Sequence, residues 1–410
     1  MKLSSITILF AALAVMSYNC SPKPQKEEKA ALPEKGTFGY DVDFLSKHQE
    51  TILLKEGDAQ LVICPAYQGR VMTSSSNGLS GLSYGWLNYE LISSGKTVDK
   101  INAVGGEDRF WLGPEGGQFS IFFKKGDQFN LDDWQTPAVI DTETYELVSK
   151  NSTSAVFEKE FSIENYSGNV LKLKVDRTIS LLSASALNDV LSIEMQDNLD
   201  AVAYSSSNTI TNTGDAAWTM ETGALSIWIL GMFNPSPSMT ILIPFKEGSA
   251  SELGQKVNDT YFGKVPADRL IVGDGILYFK GDGQYRSKIG LNPKRALPLM
   301  GSYDEENKLL TIVHYSKPEG VTDYVNSMWE LQDEPFAGDA ANSYNDGPVD
   351  GNALGPFYEL ESSSPAAFLE SGQSMDHKHT TIHIRGEEPE LDVVIQQVFG
   401  VSLSEVKNAF

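Results

Sequence analysis

The sequence predicts an all-β protein, a large antiparallel β-supersandwich with short C-terminal helices. Three observations carry this. Apolar residues recur with period two over most of 36–386. Turn-forming pairs such as Ser167-Gly168 and Glu306-Asn307 separate the alternating runs. No helical pattern is interleaved between those runs, which excludes a parallel α/β sheet.

Residues 1–19 read as a secretory signal. Lys2 precedes an apolar run from Ile6 to Val15 that is too short to span a membrane. The run stops at Cys20, which predicts a bacterial lipoprotein, cleaved before Cys20 and acylated on it. Ordinary secretion with cleavage nearby is the alternative. Residues 20–35, charged and punctuated by prolines, read as a disordered tether. The expected location is the cell envelope, with the protein held to a membrane by its lipid.

The body, 36–386, shows its alternation most clearly at 170–177, where Leu171, Leu173 and Val175 oppose Lys172, Lys174 and Asp176. Similar runs occupy 60–64, 119–123, 142–148, 189–195, 226–230, 240–243, 276–280 and 309–314. Cys64 lies within one of them and reads as a buried small hydrophobe. The tail, 387–410, changes period. Leu391, Val394, Ile395, Val398 and Phe399 form a helical stripe ended by Gly400, and Ser402 with Glu405 reads as a capping box.

The net charge is −23, and the first 35 residues contribute +2, so the body is more acidic still. Such a surface repels phosphate backbones and excludes nucleic acid as a partner. Neutral sugars stay open. Anionic polysaccharides are disfavoured except through a local basic pocket.

The chemistry gathers in three stretches. Residues 105–117, GGEDRFWLGPEGG, combine five glycines with Arg109, Trp111 and Glu115. A guanidinium fork and flat apolar rings suit a cleft that holds a polar ring with carbon faces. The alternative is a tight turn with Arg109 in a structural ion pair. Residues 357–361 put Glu359 and Glu361 on one strand face, and 376–385 put His377, His379, Thr381, His383 and Arg385 on one face. If these two segments pair, carboxylates and imidazoles meet and can exchange protons with a sugar. An exposed polar strand face and a zinc site are the alternatives. The oxygen-rich stretch 333–352 reads as an acidic surface loop or a cleft rim, with calcium binding the lesser alternative because its spacing does not match a calcium loop. No nucleotide, metalloprotease or nucleophile-elbow motif is present, so no cofactor and no metal are expected.

The order of these motifs, over most of 50–386, resembles the galactose mutarotase-like (aldose 1-epimerase-like) superfamily. Phe357-Tyr-Glu-Leu-Glu-Ser-Ser-Ser-Pro, then Leu369-Glu-Ser-Gly-Gln and Asp376-His-Lys-His-Thr-Thr, are similar to its closing motif. The resemblance implies a β-supersandwich and a general base at Glu361. Asp108-Arg109 resembles the family's sugar-contacting Asn-Arg pair. Two departures matter. Glu115-Gly-Gly, ahead of Trp134, stands where the family has His-Gly-Gly. Thr213, in Ile210-Thr-Asn-Thr, stands where the family's catalytic acid is a histidine. Threonine is no acid near neutral pH, so ordinary mutarotation is not expected.

The functional expectation is a sugar-binding lipoprotein. Arg109, Glu361 and Glu359 would contact hydroxyls, Trp111 or Trp134 would stack on a ring, and His377, His379 and His383 would line the same cleft. An active epimerase, with Glu361 as base and a histidine as acid, is the alternative. A structural lipoprotein is a third reading.

Overall fold

Most of the alternating runs become strands, and the described residues form three antiparallel sheets. The computed structural model describes residues 33–349, 351 and 353–410. The expected signal, Cys20 and most of the tether lie outside the described residues. Ten strands form the largest sheet, with Ser374–Arg385 near its middle, between Leu309–Tyr315 and Asp200–Asn212. Five strands form a second sheet, in the order Ser287–Leu291, Ala341–Asn345, Tyr358–Ser363, Ser226–Phe233 and Arg109–Gly113. A third, three-stranded sheet runs through Ile52–Glu56, Ala59–Cys64 and Arg70–Ser75.

Strand alternation assigns the two faces of the five-stranded sheet. Phe110, Leu112, Ile227 and Ile229 pack in a core with Leu173, Val175 and Ile179 of the ten-stranded sheet. Arg109, Trp111, Trp228, Glu359 and Glu361 take the opposite parity and the opposite face. The other face of the ten-stranded sheet buries Leu310, Ile312, Ile382 and Ile384 against Leu391, Val394, Ile395 and Phe399 of the helix Glu388–Phe399. Gly400, with φ 73°, ends that helix. The capping box of Ser402 and Glu405 forms in full. Cys64 is fully buried with Phe38 and Leu45.

Several local expectations fail. The helix Phe38–His48 stands at the start of the body, capped by Thr37 and burying Phe38, Asp41 and Leu45 at helical spacing. Ala184–Leu191, not a strand, covers the start of 189–195, because Ser183 accepts a hydrogen bond from the Ala186 amide and caps it. Residues 119–123 are irregular. Their rings pack sideways, Phe119 on Phe336 and Phe122 on Trp134. The stretch 333–352 is not a surface loop throughout, since Ala341–Asn345 is a buried interior strand.

Candidate functional site

Two glycines of 105–117 are required by close approach of the backbone to other segments. A Cβ on Gly105 would fall 2.0 Å from the Trp86 carbonyl oxygen, and one on Gly116 would fall 2.2 Å from that of Met328. Side chains there would push neighbouring backbones apart. Between these glycines the Arg109–Gly113 strand pairs antiparallel with Ser226–Phe233, Arg109 opposite Leu230 and Trp111 opposite Trp228. Parity then divides the strand and the residue before it: Asp108 turns into the body, while Arg109 and Trp111 face outward. Glu107, ahead of the strand, is also turned inward, onto Ser74, Tyr204 and His383.

The outward face of the five-stranded sheet floors a cleft of about 660 Å³. Arg109, Trp111, Glu115, Trp134 and Glu359 line it, as does Trp228. Trp134 and Trp329 stack with centroids 5.9 Å apart, and Trp111 meets Trp228 edge-on at 5.5 Å. The Arg109 guanidinium lies 4.2 Å over the Trp111 ring and donates to Glu359 Oε1 at 2.7 Å. Buried polar atoms of the lining, Arg109 Nε and Trp111 Nε1 among them, remain without partners among the described residues.

Burial pushes the Glu359 carboxyl up to about 7. Arg109 opposes the rise and Glu361 adds to it. Burial also raises Glu115, against the pull of Lys288, with Glu361 adding to the rise and the nearby Trp329 and Trp134 opposing it. Asp346, also in the lining, is raised by burial although Tyr344 donates to it at 2.7 Å. The cleft therefore holds carboxyl groups that keep a proton closer to neutral pH than free carboxylates do.

Glu361 is not an open base. It is fully buried, and Oε2 accepts from Lys288 Nζ at 2.9 Å and Trp228 Nε1 at 3.0 Å. Lys288 also lies 4.7 Å over the Trp228 ring. These two side chains stand between Glu361 and the cleft, whose lining includes them but not Glu361. Glu361 Oε1 has no hydrogen-bond partner among the described residues.

The histidines do not line the cleft. Tyr358–Ser363 and Ser374–Arg385 belong to different sheets, so the expected antiparallel pairing does not form. Ser362, one residue from Glu361, points to the opposite face. Its hydroxyl lies 2.8 Å from His377 Nε2 and 2.8 Å from His379 Nδ1. Both rings are buried between the sheets, behind the cleft floor. Burial lowers His377 to about 3, with the His379 ring adding to the fall. Burial lowers His379 to about 4, partly offset by Asp108. His383 lies in a separate interior cluster, 3.2 Å from Glu107 Oε2 and 2.9 Å from Thr311 Oγ1. Asp108 is buried against Arg177, so the expected Asp108-Arg109 pair contributes only its arginine to the cleft. Thr213 is exposed beyond the end of Asp200–Asn212, where its amide donates to the Lys172 carbonyl, and it is absent from the lining. The polar strand face at 377–383 is thus neither solvated nor part of a cleft. Hydrogen bonds within the core satisfy much of it.

Sequence reasoning missed Lys288, Arg286, Trp228 and Trp329, all of which line the cleft. One signal was available. Arg286 and Lys288 alternate with Ser287 and Ile289, so two cations share one face of a run that is otherwise apolar or small.

The fold and site define an antiparallel β-sandwich protein with an aromatic-walled cleft on the outer face of its smaller sheet. Over residues 36–410 the chain belongs to the family described as "Family of unknown function (DUF6786)". No curated protein matches it. Among solved structures it is similar to the Slr1438 protein of Synechocystis sp. PCC 6803, at 14% identity and TM-score 0.49, covering 83% of this chain and 96% of that one. It is also similar to a galactose mutarotase-like protein of Lactobacillus casei, at 10% identity and TM-score 0.46, covering 82% and 100%. A galactose mutarotase related enzyme of Lactobacillus acidophilus matches at 9% identity and TM-score 0.44, covering 82% and 97%. Proteins named for the superfamily that the motifs resemble are thus among these matches.

Proposed function

We propose that the cleft binds a carbohydrate. One observation carries the reading: four tryptophans wall a cleft in which buried donors of Arg109 and Trp111 lack partners among the described residues. A sugar ring offers carbon faces to the indoles and hydroxyl oxygens to the donors, so it satisfies both at once. Calorimetry against neutral mono- and oligosaccharides tests this. Saturable binding that weakens on Arg109→Met supports it, and silence across the panel would leave a structural lipoprotein as the better reading.

An epimerase-like activity has one specific observation in its favour, and it concerns Glu359. This carboxyl lines the cleft and is raised to about 7, so it can both hold and accept a proton near neutral pH. The base is therefore assigned to Glu359 in place of Glu361. Optical rotation of freshly dissolved α-glucose and α-galactose tests the assignment. Wild type should speed the approach to equilibrium and Glu359→Gln should not. Equal rates for wild type and the blank would end the enzymatic reading.

We further propose that the body is lipid-anchored at the cell envelope through Cys20, on the strength of the apolar run Ile6–Val15 and the cysteine that follows it closely. Metabolic labelling with a radioactive fatty acid should mark wild type, and Cys20→Ala should abolish the label. An unlabelled wild type would refute the anchor.

A further inference from the structure

The cleft holds one cation whose hydrogen-bonding capacity is unspent among the described residues. Arg109 is engaged by Glu359, and Lys288 by Glu361. Lys100 donates to the Asp132 carbonyl. Arg286 forms no ion pair there, and its buried Nε has no partner. Asp346, a lining carboxyl on which the Arg286 charge acts, already accepts from the Tyr344 hydroxyl at 2.7 Å and the Gly355 amide at 3.0 Å.

The position of Arg286 is built rather than incidental. Its guanidinium lies 4.1 Å over the ring of Phe262, which in turn meets Tyr344 edge-on at 5.9 Å. Stacking uses the face of a guanidinium and leaves the in-plane N–H fork free. A guanidinium anchored over a ring at a cleft wall can offer its fork to a planar carboxylate in two parallel hydrogen bonds. Resting on the carbohydrate reading above, we propose that the occupant is a uronic acid, with its carboxylate on Arg286 and its ring among the tryptophans.

The surrounding charge selects a monoanion. The chain carries −23 overall, and Glu359 and Asp346 share the cleft with Arg286. A phosphate ester brings close to two negative charges near neutral pH, against roughly one for a carboxylate. Its second charge meets those acidic walls, where Lys100, the other lining cation outside an ion pair among the described residues, is already turned onto the Asp132 carbonyl.

Ligand-observed NMR titrations of the folded body with glucuronate, galacturonate, glucose, galactose and glucose 6-phosphate test the proposal. Each uronate should bind about tenfold more tightly than its neutral parent, as expected for a charge-assisted bidentate contact. In Arg286→Gln, with its melting temperature checked against wild type, that ratio should fall to near one. The wild-type preference should also shrink as salt rises. Neutral sugars that bind as well as uronates, or a phosphate ester that binds best, would overturn the inference and leave the carbohydrate reading standing. Silence from every sugar would remove both.

Discussion

Replacing Lys288 by methionine exposes the central constraint of the site. Lys288 and Glu361 have side chains 10% and 0% exposed and meet at 2.9 Å. Methionine keeps an apolar stem beside Trp228 but leaves the Glu361 carboxylate, among the described residues, with the Trp228 indole as its remaining side-chain donor. Removing one member of a buried ion pair costs about 3–5 kcal/mol, because the remaining charge stays desolvated. Unfolding entropy near 2 cal/mol/K per residue gives roughly 0.8 kcal/mol per kelvin for a body of this size. The expected drop in melting temperature is therefore about 4–6 °C, measured by scanning calorimetry. Adding Glu361→Gln removes the stranded charge, and the double variant should recover most of the loss, with a coupling of about 2 kcal/mol or more. A single variant that costs under about 1 kcal/mol, or a double variant no more stable than the single, would refute the view that Lys288 holds Glu361 in place below the floor.

Two further outcomes follow from the geometry. In the unfolded chain His377 and His379 take up protons near pH 6.5, but in the folded body only near 3 and 4. Their contribution is complete above pH 6.5 and is lost as pH falls toward 4, at about 1.4 kcal/mol per pH unit for each ring. Urea unfolding at pH 7 and pH 5 should show His377→Gln losing about 2 kcal/mol less than wild type, and equal losses would sink the argument. Comparison with wild type cancels the opposing effect of the raised buried carboxyls. Trp329 is only partly buried, so Trp329→Ala should weaken sugar binding about tenfold or more at modest cost in stability. Unchanged affinity by calorimetry would take this ring out of the binding path.

The body was legible where side chains alternate cleanly. Ile276–Lys280 was expected as a strand over those same residues, and the Ser402–Glu405 capping box was read from spacing alone. It was not legible where long-range contacts override local pattern. Residues 119–123 alternate like a strand, yet Phe119 and Phe122 are claimed by Phe336 and Trp134 from elsewhere in the chain. The helix Phe38–His48 was missed although Thr37 and the 38/41/45 spacing announce it.

For the site, the chain by itself determined which residues share a face. Parity put Glu359 with Glu361, and His377 with His379 and His383, because successive side chains of any extended strand point to opposite sides. Sheet membership was decided only by the tertiary structure. Tyr358–Ser363 and Ser374–Arg385 lie close in sequence, but they hydrogen-bond within different layers, so the carboxylate face opens outward and the imidazole face is sealed between sheets. Period two cannot choose between layers, because pairing depends on partners more than a hundred residues away, such as the Ser226–Phe233 strand beside Glu361.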